Sequence, residues 1–153
     1  MNKLFRIAFL ILPISLTLSA CQQKNEAGNP QKPYPSEEAI QNKDVVNLHG
    51  KIKNGKRLEQ FMQNAGEGKE DTIRITSYTL EGDPIFENLQ SNKRTITYIY
   101  DNSQDEYAGS DKGIEKTSCS KIATENTTNG TEYTLNECIS SEIGNMFHFV
   151  ISK

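Results

Sequence analysis

A cysteine stands directly behind a long apolar run near the start of this chain, and it dictates where everything after it has to fold. Lys3 and Arg6 form a positive leader, and Ile7 to Leu18 is apolar apart from Pro13, Ser15 and Thr17. Ser19 and Ala20 then supply a small-residue exit, which completes the pattern of a secretory signal. The apolar run is shorter than the ~20 residues that a spanning helix needs. Residues 1–20 are therefore read as a signal peptide and left out of the fold.

Leu18-Ser19-Ala20-Cys21 resembles the bacterial lipobox, in which the thiol is joined to a diacylglyceryl group and the peptide is cut just before it. Both reactions take place at the membrane face, so the small-small-Cys tripeptide has to emerge directly from the apolar stretch. Cys21 is the expected lipid anchor, and two or more acyl chains hold a protein stably at a bilayer where one does not. The alternative is an ordinary signal peptide with a chance cysteine at the cut. On the first reading the protein is held at the cell membrane on its extracytoplasmic side. From Cys21 to Pro35 the chain is polar and broken by Gly28, Pro30, Pro33 and Pro35. Such a tether spans on the order of 20 Å as a flexible coil.

What remains, residues 36–153, is room for one domain. A two-lobed solute receptor, a large barrel enzyme and a multi-span membrane protein are excluded on size. About a third of this remainder is apolar, against the usual ~45–50%, so the core must be thin. After Ala20 the net charge is about −5, spread evenly. With no basic stripe to displace phosphate counterions, a nucleic-acid partner is not expected.

With Cys21 taken up by lipid, Cys119 and Cys138 remain as an even pair in an exported setting. Ile122-Ala123-Thr124 and Tyr133-Thr134-Leu135 flank Thr127-Thr128-Asn129-Gly130, which is turn chemistry. A four-residue loop there pairs Thr124 with Tyr133 and Ile122 with Leu135, and sets Cys119 opposite Cys138. Facing positions on neighbouring strands can carry a disulfide, provided the pair is of the closer kind. Free thiols and a redox pair are the alternatives; the second lacks a Cys-x-x-Cys motif or a nearby His. Two cysteines without clustered histidines also make a poor zinc site.

Leu58, Phe61, Met62 and Ala65 form an i, i+3, i+4, i+7 stripe, which predicts an amphipathic helix with Asn54 as its cap and Gly66 or Gly68 as its end. A short helix can start at Ser36. Strands follow: Thr72 to Leu80, with a slip in alternation that suggests a bulge, then Ile85 to Gln90, Thr95 to Tyr100, Ile114 to Thr124, Thr131 to Cys138 and Met146 to Ile151. The expected fold is α+β: a mainly antiparallel sheet of about five or six strands packed against one main helix. The absence of βαβ alternation argues against a Rossmann-type nucleotide site, and no cofactor is expected.

Chemistry-bearing residues are sparse. His49, in Asn47-Leu48-His49-Gly50, reads as a turn or cap residue, and His148 as a strand residue between Phe147 and Phe149. Asp101-Asn102-Ser103-Gln104-Asp105-Glu106 starts like a calcium loop but lacks the sixth-position Gly and the closing Glu, so no metal is expected. Two Asn-x-Thr sequons, at Asn126 and Asn129, match a glycosylation pattern that a bacterial lipoprotein would not normally use. Arg74 lies between Ile73 and Ile75 and points away from their face. It is either a plain outward residue or the partner of an acid such as Asp83 beside a ligand.

Asp44-Val45-Val46-Asn47-Leu48-His49-Gly50, Asp71-Thr72-Ile73-Arg74-Ile75 and Thr79-Leu80-Glu81-Gly82-Asp83-Pro84-Ile85 together resemble one family. Tyr98-Ile99-Tyr100-Asp101-Asn102 and the Cys119/Cys138 pair agree with it. It is the domain of unknown function numbered 4362, found in small lipoproteins of Gram-positive spore-forming bacteria, and the likeness runs roughly from Asp44 to Lys153. The resemblance implies a membrane-anchored extracytoplasmic domain and brings no established activity, substrate or catalytic residue. Arg94 stands where such chains tend to carry a Gly-containing turn.

Three functional classes follow. The first is a non-catalytic module that binds a protein, a peptide or another envelope component. The second is an inhibitor or regulator of another exported protein, docking through a sheet face or the Glu81 to Ile85 turn; Tyr98 and Tyr100, if they face solvent, would suit that interface. The third and weakest is a small hydrolytic enzyme using Asp83, Asp101 or Arg74. Arg74, Glu81, Asp83, Tyr98 and Tyr100 are thus the candidate binding residues.

Overall fold

The computed structural model describes residues 33–152; the signal segment, Cys21 and most of the tether lie outside the described residues. Two short strands, β1 (Val45–Leu48) and β2 (Lys51–Lys53), follow a one-and-a-half-turn helix α1 (Ser36–Gln41). Helix α2 (Gly55–Gly66) comes next, then β3 (Asp71–Tyr78), β4 (Pro84–Asn92) and β5 (Thr95–Asp101). The long hairpin β6 (Ile114–Asn126) and β7 (Gly130–Cys138), a single turn α3 (Ser141–Gly144) and β8 (His148–Ser152) complete the domain.

All eight strands belong to one sheet in the order β2-β1-β3-β4-β5-β6-β7-β8. Every pairing is antiparallel except β1 with β3, where the chain returns through β2 and α2. The ladder aligns apolar rows across the sheet. Ile73 faces Leu89, which faces Tyr98, while Ile96 faces Cys119, which faces Cys138. These rows form the inner face. Leu58 and Phe61 of α2 are fully buried in the same cluster as Tyr133 of β7 and Phe149 of β8.

The sheet curls into a nearly closed, barrel-like form, with strands making up 48% of the described residues. Its two ends approach each other at the start of α2. A Cβ placed on Gly55 would lie 3.4 Å from Ile52 of β2 and 3.5 Å from Ile151 of β8. The expected α+β arrangement is therefore overturned: the fold is mostly β, with eight strands rather than five or six. The physical reason is that α2 lays only its Leu58 and Phe61 stripe into a curled sheet and keeps its other face exposed, instead of covering one face of an open sheet. The two missed strands, β1 and β2, have four and three residues, too few to display an alternation.

Several local expectations hold. The stripe of α2 is buried at Leu58 and Phe61 and half-buried at Met62 and Ala65. Ile122 faces Leu135, Thr124 faces Tyr133, and Cys119 faces Cys138 across a loop at 127–130. Others do not. Asn54 precedes α2 in a left-handed conformation, but its amide donates to the carbonyls of Ile40 and Asp44 instead of capping the helix. The β3–β4 register runs unbroken from Asp71 to Tyr78, so the predicted bulge is absent. The slip in alternation arises because the outer face is buried at that end. Thr76 is fully buried there, and the Tyr78 hydroxyl donates to the carbonyl of Tyr34 at 2.9 Å.

Gly130 is the glycine whose freedom the fold requires. Its φ is +151°, and a Cβ there would fall on the Ile151 carbonyl of β8.

Candidate functional site

The outer face of β3, β4 and β5 carries a groove, and residues distant in sequence build it. Strand alternation turns Arg74, Phe86, Asn88 and Asp101 outward, and the register places Arg74 beside Asn88 and Phe86 beside Asp101. The segment entering α1 folds back over this face. Tyr34 packs its ring at 5.6 Å from that of Phe86, and its hydroxyl donates to buried Asp44 at 3.2 Å. Thr76 donates to the same carboxylate oxygen at 2.8 Å. Pro33 to Pro35, read from sequence as the end of the tether, thus lie against the domain.

The result is a concavity of about 480 Å³ lined by Pro33, Tyr34, Pro35, Glu38, Arg74, Phe86, Asn88, Asp101 and Gln104. The Arg74 guanidinium lies over the Phe86 ring, 5.6 Å from its centroid, and its Nε donates to Asn88 Oδ1 at 3.2 Å. No described carboxylate forms an ion pair with it. The terminal N–H groups of Arg74 therefore remain available to a bound molecule.

The other candidate residues separate. Asp83 does not pair with Arg74: its carboxylate is buried and accepts from the Glu106 amide at 3.0 Å, which ties the β3–β4 turn to the loop after β5. Glu81 is exposed in that turn beside Leu80, which is 88% exposed. Tyr98 is fully buried, so it does not meet the condition of facing solvent on which its candidacy rested. Tyr100 shares the inner face and is only half-buried. Asp101 and Asp105 accept from the Ser103 and Tyr107 amides and so close their own loop. His49, with φ +50°, and Gly50 form the two-residue turn between β1 and β2. His148 approaches Glu132 at 3.4 Å on the surface. Among the described residues, no group of three or more His, Cys, Asp or Glu side chains is placed to hold a metal, and no helix is long and apolar enough to cross a membrane.

Cys119 and Cys138 are joined by a disulfide. Gly144 of α3 packs so closely on Cys138 that a Cβ there would strike its sulfur.

Sequence reasoning missed Glu87. It alternates with Ile85 and Leu89 and so points inward, where its carboxylate accepts from the Tyr98 hydroxyl at 2.8 Å. Burial pushes it up to about 7, and the Tyr98 hydrogen bond only partly opposes this. Burial and the Glu87 charge together drive Tyr98 well above the usual phenol range. The signal was present: a lone acid between two inward apolar residues of a strand. Tyr34 and Glu38 had no comparable signal, because only the tertiary fold brings them to the groove.

No curated protein and no solved structure matches this chain. The profile of the family described as Domain of unknown function (DUF4362) matches residues 42–134, a span from just before β1 into the middle of β7. The chain belongs to the domain-of-unknown-function family 4362.

Proposed function

We propose that this protein is a lipid-anchored extracytoplasmic module that binds a partner and does not transform it. The carrying observation is the groove on the outer face of β3–β5, where an unpaired arginine lies over an aromatic floor beside two carboxylates and two amides. The lipobox-like Leu18-Ser19-Ala20-Cys21 and the disulfide support an exported location. Such a site offers recognition chemistry: charge, hydrogen bonds and a flat apolar surface. Glu87, the carboxyl with the most altered acidity, faces the opposite side of the sheet and does not line the groove.

The test is a photo-reactive amino acid introduced at position 104, which lines the groove and leaves Arg74 in place, in intact cells, with position 125 on β6 as control. The reading expects a discrete adduct from position 104 and none from position 125. Absence of any adduct, or the same adducts from both positions, refutes it.

One observation favours a second reading, in which the protein inhibits or regulates another exported protein. The turn after β3 presents Leu80 and Glu81 to solvent, an apolar side chain next to a charge on a protruding loop. Adducts from position 80 and none from position 104 would select that reading.

A further inference from the structure

Arg74 has already committed part of its guanidinium. Nε is occupied by Asn88, and one face of the plane lies over Phe86. The two terminal nitrogens then form a fork fixed in direction, the geometry that meets a carboxylate with two parallel hydrogen bonds. Carboxylates and not phosphates are favoured by what surrounds it. Glu38 and Asp101 line the same groove, so one cation stands among two acids. A plain anion meets net repulsion there and a plain cation meets Arg74. A molecule carrying both charges satisfies all three groups. Tyr34 and Phe86 add an apolar wall for a side chain, and about 480 Å³ lies toward the small end of the range for small-molecule sites.

We infer that the groove over Phe86 binds small zwitterions of the amino-acid kind, with the carboxylate on Arg74 and the ammonium group toward Glu38 and Asp101. The free amino acid and the free-ended short peptide share this chemistry. The inference rests on the binding-module reading and gives it a ligand class.

Calorimetric titration of the full chain in detergent micelles tests it. The probes are L-phenylalanine, alanyl-phenylalanine, N-acetyl-phenylalanine (carboxylate only) and phenylalanine amide (ammonium only). The expected result is that at least one of the first two binds about tenfold or more tighter than either singly charged form. If the dipeptide is the tighter of the two, the site takes peptide ends; if phenylalanine is, it takes free amino acids. Arg74→Gln should weaken the zwitterion about tenfold, with an unchanged urea midpoint because Arg74 is exposed. Glu38→Gln combined with Asp101→Asn should reduce the advantage of the zwitterion over N-acetyl-phenylalanine. Silence toward both zwitterions at millimolar concentration, or binding that ignores Arg74→Gln, overturns the assignment. If adducts from position 104 persist in cells while the titration is silent, the ligand class alone has failed; loss of both removes the binding module as well.

Discussion

Glu87 makes the stability of this domain depend on pH in a direction opposite to that of most carboxylates. The folded state holds its proton more tightly than the unfolded chain does, since its value rises from 4.5 to about 7. The stabilisation is therefore complete below about 4.5, is lost as pH rises through about 7, and changes no further above that. Each pH unit across this interval is worth about 1.4 kcal/mol. The interval as a whole sets a ceiling of about 3 kcal/mol, a large share of the roughly 5–15 kcal/mol that holds a domain together. Glu87→Gln keeps an acceptor for the Tyr98 hydroxyl and carries no charge. It should leave stability near pH 4.5 little changed and raise it at pH 8 by about 2–3 kcal/mol. Tyr98→Phe removes the hydrogen bond that favours the ionised form, so the loss should start at the same pH and continue to a higher one. Urea unfolding of the full chain between pH 4.5 and 8 measures this, followed by far-ultraviolet circular dichroism or by tyrosine emission, since the chain has no Trp. Parallel pH profiles for the wild type and Glu87→Gln would refute the reasoning.

Four further outcomes follow from the packing. Reducing the Cys119–Cys138 disulfide, or changing both residues to Ser, should cost about 3 kcal/mol in the same unfolding assay, because the bridge closes a loop with a sequence separation of 19. Gly144→Ala should lower the melting temperature by several degrees, since the new methyl group meets the Cys138 sulfur; the double Ser variant should tolerate it better. Gly130→Ala should destabilise by more than about 1 kcal/mol, from both backbone strain and collision with β8. Arg57 holds Asp71 with two hydrogen bonds and also donates to the Thr72 carbonyl. Burial would raise Asp71, but Arg57, Asn64 and the Thr72 amide outweigh it and hold it below its usual range. That stabilisation is present above the ordinary value of 3.8 and is lost as pH falls below it, so Arg57→Ala should cost about 1–2 kcal/mol at pH 7 and less at pH 2.

Where an element carried its own marks, it could be read from the chain. The β6–β7 register was legible because both strands are long, the loop is turn-rich and a cysteine stands at each base. The helix was legible because Leu58, Phe61, Met62 and Ala65 repeat at its period. The β1–β2 hairpin was not, because strands this short hold only two inward positions at most. The curl of the sheet was hidden for a different reason. Closure depends on Ile52 and Ile151 meeting at Gly55, a contact between opposite ends of the domain. The same long range explains the site. Arg74 could be recognised as an outward cation, but Tyr34, Glu38 and Asp101 reach it only through tertiary structure. The facing of Tyr98 stayed open because Thr95 to Tyr100 alternates cleanly without showing which side faces inward; Ile96, Tyr98 and Tyr100 take the inner side.

On the proposed reading, the outer face of β3 is open to the outside of the cell on an anchored chain. Arg74→Cys, treated with a membrane-impermeant maleimide on intact cells, tests this in one step. Label is expected at position 74 without lysis, on protein recovered in the membrane fraction, while Tyr98→Cys stays unlabelled in its buried place. Label at position 74 that appears only after lysis, or a labelled protein free of the membrane, would contradict it.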